Sequence, residues 1–499
     1  MRILMLGWEF PPYISGGLGT ACYGLTRALD ALGHEVIFVL PKPVDTSHSS
    51  HVDLRSPRHR STRGGSSAPA PRRSSTSSDA VGAGASSSAE RTSDEASHVS
   101  LRGVPAMITS PYPGMHEGAP EHWRSVSVPL GEGLTGYRGM SPEEAGLLST
   151  HLRDAGISEE VTRRAIGTLA QAQSPATDYG GDVMLSAARY AEMVSIICAD
   201  DEFDVIHAHD WMTYPAGLSM SRRTGKPLVV HVHSTEFDRS GEHVNQQIYD
   251  IERAGMHGAD LVACVSFLTR SICASRYGVP DGRLRVVYNG VDLSGGGSLE
   301  SSRVEADDKI VLFLGRITMQ KGPEYFIAAA KRVLEKIENV KFLVAGSGDM
   351  ARRMIELAAS TGIGHKVLFT GFLRGRDVAK AFSMADCYVM PSVSEPFGIA
   401  PLEALGHDVP VIISKQSGVS EVLTHALKVD FWDVDEMANK IIAVLRHAPL
   451  SRVLRHHGSM EVRRLTWEGA ATKTLGVYQE AIEPAAPEIV VRSPEGVAR

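Results

Sequence analysis

Short apolar runs, each followed by a glycine-rich or polar turn and then a helical stretch, recur along this chain in two clusters of six. No other feature constrains the fold as much, because strands that alternate with helices build parallel sheets covered by helices. The first cluster falls at residues 2–8, 35–40, 205–209, 228–233, 261–265 and 285–288. The second falls at 309–314, 341–345, 366–370, 387–390, 409–413 and 428–431. The expectation is an α/β protein of two doubly wound, Rossmann-like domains, over residues 1–290 and 309–465. The polar, glycine-rich stretch 291–308 reads as the linker between them.

Two segments interrupt the pattern. Residues 45–100 are rich in Ser, Arg, Ala and Gly and poor in large apolar residues. Such a stretch buries too little surface to offset its ordering entropy, so it reads as a disordered insertion. Residues 141–173 read as a helical insertion, with starts at Ser141-Pro-Glu-Glu and Ser158-Glu-Glu. A last helix is expected over 466–482, and the Pro-rich tail 483–499 reads as loose.

Composition excludes some functions. A net charge of −7 lacks the basic footprint of a general nucleic-acid binder. No apolar run reaches the roughly 18–20 residues that span a bilayer, and the opening run leads into Gly7-Trp8-Glu9 without a small-residue cleavage site. The five scattered cysteines fit reduced, buried thiols. Together these features predict a cytoplasmic protein with no nucleic-acid partner and no stable membrane insertion.

Four motifs carry chemistry. Ser15-Gly16-Gly17-Leu18-Gly19-Thr20 follows the first strand and opens a helix expected at 21–32. Glycines there let a ligand approach the backbone, and the helix start offers N–H groups to an anion; a plain tight turn explains the same residues. Gly315-Arg316-Ile317-Thr318-Met319-Gln320-Lys321-Gly322 follows the first strand of the second domain. Its Arg and Lys, on an exposed loop at a strand's C-terminal end, can converge on one diphosphate. Glu395-Pro-Phe-Gly398-Ile399-Ala-Pro-Leu-Glu403 carries two carboxylates at opposite ends of a Gly/Pro turn, suited to accept hydrogen bonds from sugar or ribose hydroxyls. Helix-dipole complementarity explains Glu403 equally. Finally, His207-Ala-His209-Asp210-Trp211 and His231-Val-His233-Ser234-Thr235-Glu236 end neighbouring strands. A metal site is the minor reading of these histidines, since paired histidines at strand ends also serve as substrate contacts.

In this order and at these separations, the four motifs resemble retaining glycosyltransferases of family 4, in the branch that includes glycogen and starch synthase-like enzymes. Tyr288-Asn289-Gly290-Val291-Asp292 adds to the likeness. The resemblance implies a GT-B fold, with two Rossmann-like domains facing across a cleft and a final helix crossing back to the first. It implies transfer of a hexosyl unit from a nucleoside diphosphate sugar, UDP-glucose or ADP-glucose, to an α-1,4-glucan or another carbohydrate, with no cofactor and no metal. By resemblance, Arg316, Lys321, Gly16 and Gly17 would hold the diphosphate. Glu403 would hold the ribose, and Glu395 the sugar hydroxyls. Gly398 and Ile399 would lie near sugar and phosphate, His233 beside the anomeric centre, and Asp210 against sugar or acceptor. Two departures separate the chain from the bacterial and plant starch synthases. Ile14 stands where they carry Lys, and Glu403 where they carry an aromatic residue, which moves the chain toward family 4 and loosens the expectation of ADP-glucose. The alternatives are a family 4 transferase with a lipid or small acceptor, a GT-B epimerase, and an inactive sugar-nucleotide-binding protein.

Overall fold

The computed structural model describes residues 1–10, 16–41, 53–55, 99–103, 181–293 and 308–483. The 141–173 insertion, Ile14, Ser15, most of the 45–100 segment, most of the linker and nearly all of the tail lie outside the described residues.

Two parallel sheets organise the chain. The first has eight strands: β1 (Arg2–Leu6), β2 (Glu35–Leu40), β3 (Asp53–Arg55), β4 (Val99–Gly103), β5 (Val205–His209), β6 (Leu228–Val232), β7 (Leu261–Cys264) and β8 (Leu284–Val286), in the order β3-β4-β2-β1-β5-β6-β7-β8. The second has six: β9 (Lys309–Leu314), β10 (Val340–Ala345), β11 (Val367–Gly371), β12 (Cys387–Met390), β13 (Val411–Ser414) and β14 (Leu427–Val429), in the order β11-β10-β9-β12-β13-β14. Strands β5, β6, β7, β12 and β13 are buried along their whole length, and β1 and β2 at all but their first residue, which is why their sequences read as continuous apolar runs.

The first sheet corrects the sequence expectation of six strands. β3 and the start of β4 lie inside the segment expected to be disordered. Strand β4 pairs with β2 from Val36↔Val99 to Leu40↔Gly103. Backbone pairing at a sheet edge needs no large apolar side chain, so composition does not reveal it.

Helices cover both faces. On one face of the first sheet lie α2 (Gly181–Ile197), α3 (Tyr214–Thr224), α4 (Glu236–Ser240), α5 (Gln246–Gly258) and α6 (Phe267–Tyr277). On the other lie α1 (Gly17–Ala31) and α13 (Trp467–Ile482). Helix α1 starts at Gly17, four residues before its expected start. Around the second sheet are α7 (Pro323–Leu334), α8 (Ala351–Ser360), α9 (Arg376–Met384), α10 (Ala400–Gly406), α11 (Val434–Arg446) and α12 (Ala448–Val462).

Helix α13 follows the second sheet in sequence but packs in the core of the first, where Ala470, Ala471, Val477 and Tyr478 join Ile3, Met5 and Val229. Trp467 fixes its entry: a β-carbon added at Gly24 of α1 would lie 2.2 Å from the indole ring. No helix among the described residues is long and apolar enough to cross a membrane. All five cysteines are buried, and none forms a disulfide.

Candidate active site

In each sheet the chain reverses its direction of winding beside the first strand, between β1 and β5 and between β9 and β12. Open parallel sheets bind ligands at the carboxyl ends of strands flanking such a switch point. The candidate residues lie there: Gly16 and Gly17 after β1, Asp210 after β5, Arg316 and Lys321 after β9, and Glu395 and Gly398 after β12.

In the second domain, Lys321 and Glu395 meet. Lys321 Nζ lies 2.5 Å from Glu395 Oε2, and their side chains are 20% and 10% exposed. Ser392 Oγ donates to the same carboxylate oxygen at 3.2 Å. This corrects the expectation that Lys321 stands on an exposed loop: it is drawn in by a carboxylate 74 residues away. Tight backbone packing shapes the loop. A β-carbon at Gly322 (φ 61°) would lie 2.2 Å from Pro391 O, and one at Gly348 2.3 Å from Ile317 O. Gly398 has φ 104°, and a β-carbon there would crowd Glu395 Cγ at 3.2 Å, so glycine lets the turn fold over that carboxylate. Arg316 and Ile399, at the edges of these two loops, are half-buried.

Glu403 sits in the first turn of α10, where its backbone carbonyl accepts from His407 Nδ1 at 2.8 Å. Its side chain keeps partial exposure, yet the protein around it removes enough water to push its pKa up to about 7. Burial, with smaller contributions from Glu395 and Glu403, holds the phenol of Tyr388 well above its usual range. Tyr388, which the sequence motifs did not single out, thus lies within the field of both carboxylates.

In the first domain, β5 and β6 bring four imidazoles together. His207 and His209 have ring centroids 4.1 Å apart, and His231 and His233 4.3 Å. His209 Nδ1 lies 2.8 Å from His233 Nε2, and His207 Nε2 lies 3.2 Å from His231 Nδ1. Burial first, then mutual repulsion, holds His207, His209 and His233 well below the usual imidazole range, and burial alone lowers His231 to about 3. The stack is neutral at working pH. One ring nitrogen from each of His207, His209 and His231 lies within 4.8 Å of the others, a spacing that could hold a metal ion. His207, however, already uses both nitrogens in hydrogen bonds.

Asp210 turns the chain at the end of β5 with φ 59°, a left-handed conformation that Asp tolerates better than most residues. Its Oδ1 accepts from the backbone N–H of His233 at 2.8 Å and of Ser234 at 3.3 Å. Burial raises its pKa to about 7 against the lowering pull of Arg239. Asp210 thus holds the His233 loop in place. Helix α4 follows that loop, capped reciprocally by Thr235 and Asp238, and Arg239 ties it to Glu236, Ser234 and Glu252.

Those pieces face each other across the two domains. Helix α4 packs on the turn Met319–Lys321, and Ser394 Oγ donates to Asp238 Oδ1 at 2.5 Å. Nearby, Glu421 accepts from the N–H groups of Phe267 and Leu268, at 2.9 and 2.7 Å. Gly16 caps α1, and a β-carbon at Gly16 or Gly17 would meet no atom of the described residues. Packing among the described residues does not demand glycine there, whereas an approaching anion does profit from it. By contrast, a cavity of about 550 Å³ between α3 and α5, lined by Leu218, Arg222 and Ile251 among others, gathers none of these residues.

The buried stack has a measurable consequence. The folded pKa of His209 lies below the unfolded value of about 6.5, so its contribution to stability is present above that pH and is lost as pH falls through it. In denaturant titrations, His209→Gln should gain about 1 kcal/mol relative to wild type between pH 7.5 and 5.5. A pH-independent difference would contradict a buried, neutral His209.

Two switch-point clefts facing each other, with cations and carboxylates on one side and neutral imidazoles on the other, define a GT-B glycosyltransferase, and the comparisons with known proteins agree. Residues 298–459 match glycosyl transferases group 1, residues 159–294 glycosyltransferase family 4, and residues 2–65 the starch synthase catalytic domain. An uncharacterized glycosyltransferase of Methanocaldococcus jannaschii is 34% identical over 57% of this chain and 77% of its own length. Glycogen synthase of Mycobacterium tuberculosis is 23% identical over 96% of this chain and 95% of its own. Among solved structures, sucrose-phosphate synthase from Thermosynechococcus elongatus superposes with a TM-score of 0.63 at 18% identity, covering 96% of this chain and 98% of that one. The chain belongs to the family 4 glycosyltransferases, in the glycogen synthase-like branch, and is an enzyme.

Proposed function

We propose that this enzyme moves a hexosyl unit, most simply glucose, from a nucleoside diphosphate sugar to an α-1,4-glucan, with retention of anomeric configuration and without a metal. The observation that carries the reading is the Lys321–Glu395 pair on the β9/β12 edge, set against the α4 segment that follows His233. Breaking a sugar–diphosphate bond puts negative charge on the leaving phosphate and positive charge on the anomeric carbon. Arg316, Lys321 and the start of α1 meet the first; Glu395 and Glu403 offer acceptors to sugar and ribose hydroxyls, with the Gly398–Ile399 backbone beside them. A neutral His233 suits the second, since an imidazolium would repel the developing cation. Asp210 fits a positioning role, through the His233 backbone, better than direct contact with the sugar.

The glucan acceptor rests on the glycogen synthase relative, which matches along nearly the whole of both chains. A second reading, a small acceptor, draws on the D-inositol 3-phosphate glycosyltransferase of Acidothermus cellulolyticus, 27% identical over 56% of this chain and 68% of its own. Labelled glucose from UDP- and ADP-glucose, offered with glycogen and with inositol phosphate as a small acceptor, separates the two. Label entering glycogen in α-linkage supports the first reading. Label transferred only to small acceptors overturns it.

A further inference from the structure

The histidine stack is wired to a residue far outside the site motifs. Tyr478, on α13, is fully buried, and its Oη lies 2.5 Å from His207 Nδ1. His207 passes the connection to His231 through its other nitrogen; His231 stacks on His209 and His207 packs against it at a tilt, and His209 bonds His233. We propose that Tyr478 is a positioning residue for the transfer reaction: the helix that crosses from the second domain fixes the tautomer and orientation of the imidazoles behind His233.

Hydrogen-bond counting sets the direction of the chain. A neutral imidazole carries one N–H. If Tyr478 donates to His207 Nδ1, His207 Nε2–H donates to His231 Nδ1, and within this relay only His231 Nε2–H is left without a described partner; in the stack His209 Nε2 lacks one as well. If the chain runs the other way, His207 Nδ1–H donates to the phenol oxygen, and the phenol O–H is orphaned as well. The reverse direction leaves two buried polar groups unpaired and the first only one, and each unpaired group costs free energy, so the first direction wins. Burial keeps the Tyr478 phenol protonated and the imidazoles neutral, so working pH leaves the arrangement intact. Helix α13 also packs on β5, β6 and β7, which gives the phenol a rigid base.

The inference rests on the donor cleft proposed above, and the experiment separates the two. Wild-type enzyme that turns over no donor removes the cleft reading, whereas the tautomer of His207 is readable without turnover. In ¹⁵N-histidine-labelled wild type, with His207 assigned by its loss in His207→Asn, the Nε2–H tautomer is expected. The Nδ1–H tautomer would overturn the proposal. Tyr478→Phe should lower kcat by about 10-fold, against a ceiling near 10²-fold for sub-ångström misplacement. Its donor KM should stay within about twofold of wild type. 3-Fluorotyrosine at 478, which keeps the donor, should restore kcat. Because Tyr478 acts through His207, Tyr478→Phe should add little to the loss in His207→Asn. Wild-type kcat in Tyr478→Phe, or losses that multiply in the double variant, would overturn it.

Discussion

Replacing Lys321 by alanine is expected to lower kcat/KM for the nucleotide sugar by about 10²–10³-fold, the usual consequence of losing one preorganised charge at a leaving group. Affinity for the nucleoside diphosphate should fall with it, since a cation on phosphate acts in the ground state too. The structure adds a second effect that the loop motif alone did not suggest. Lys321 neutralises Glu395, whose side chain is only 10% exposed. Its loss leaves a buried carboxylate with Ser392 as its remaining described side-chain partner, and should lower stability by about 1–3 kcal/mol. Steady-state kinetics, nucleotide titration calorimetry and a thermal melt read the three consequences separately. Wild-type kcat/KM in Lys321→Ala would refute its phosphate role.

Glu395→Ala should lower kcat by about 10²-fold through lost positioning of the transferred sugar, while nucleotide affinity holds or rises. The reason is competition. In the absence of donor, Glu395 occupies the ammonium that the diphosphate is proposed to take, so nucleotide binding must exchange one partner for the other. Removing the carboxylate removes that competition. Calorimetry with UDP and ADP against wild type and Glu395→Ala checks this. A large loss of nucleotide affinity in Glu395→Ala would mean that Glu395, rather than Glu403, holds the ribose.

Much of the fold was legible because buried parallel strands write themselves as apolar runs. Strands at 35–40, 205–209, 309–314 and 387–390 carry the bounds that the sequence suggests, and the others shift by a residue or more at their ends. β3 and β4 were not legible, since edge pairing draws on backbone groups that composition does not register. The start of α1 was misplaced because Gly17 and Gly19 read as turn, although a glycine at a helix start costs little. Within the site, the strand-end positions of Asp210, His233, Arg316 and Glu395 followed from the alternation of strands and loops. The partnerships did not. Lys321 and Glu395 are 74 residues apart and His207 and Tyr478 are 271 apart, so no local pattern joins them. Asp210 was legible as a site residue, but its engagement with the His233 backbone depends on a left-handed turn that the sequence does not announce.

The central claim is that the two facing switch points form one donor site, with cations set to receive the leaving diphosphate. Nucleotide release from UDP-, ADP- and GDP-sugars, measured with and without glycogen, tests it most directly. Glycogen-dependent release from a glucose donor, lost in Lys321→Ala, is the predicted result. Binding of these donors with no release from any of them, under either condition, would contradict it.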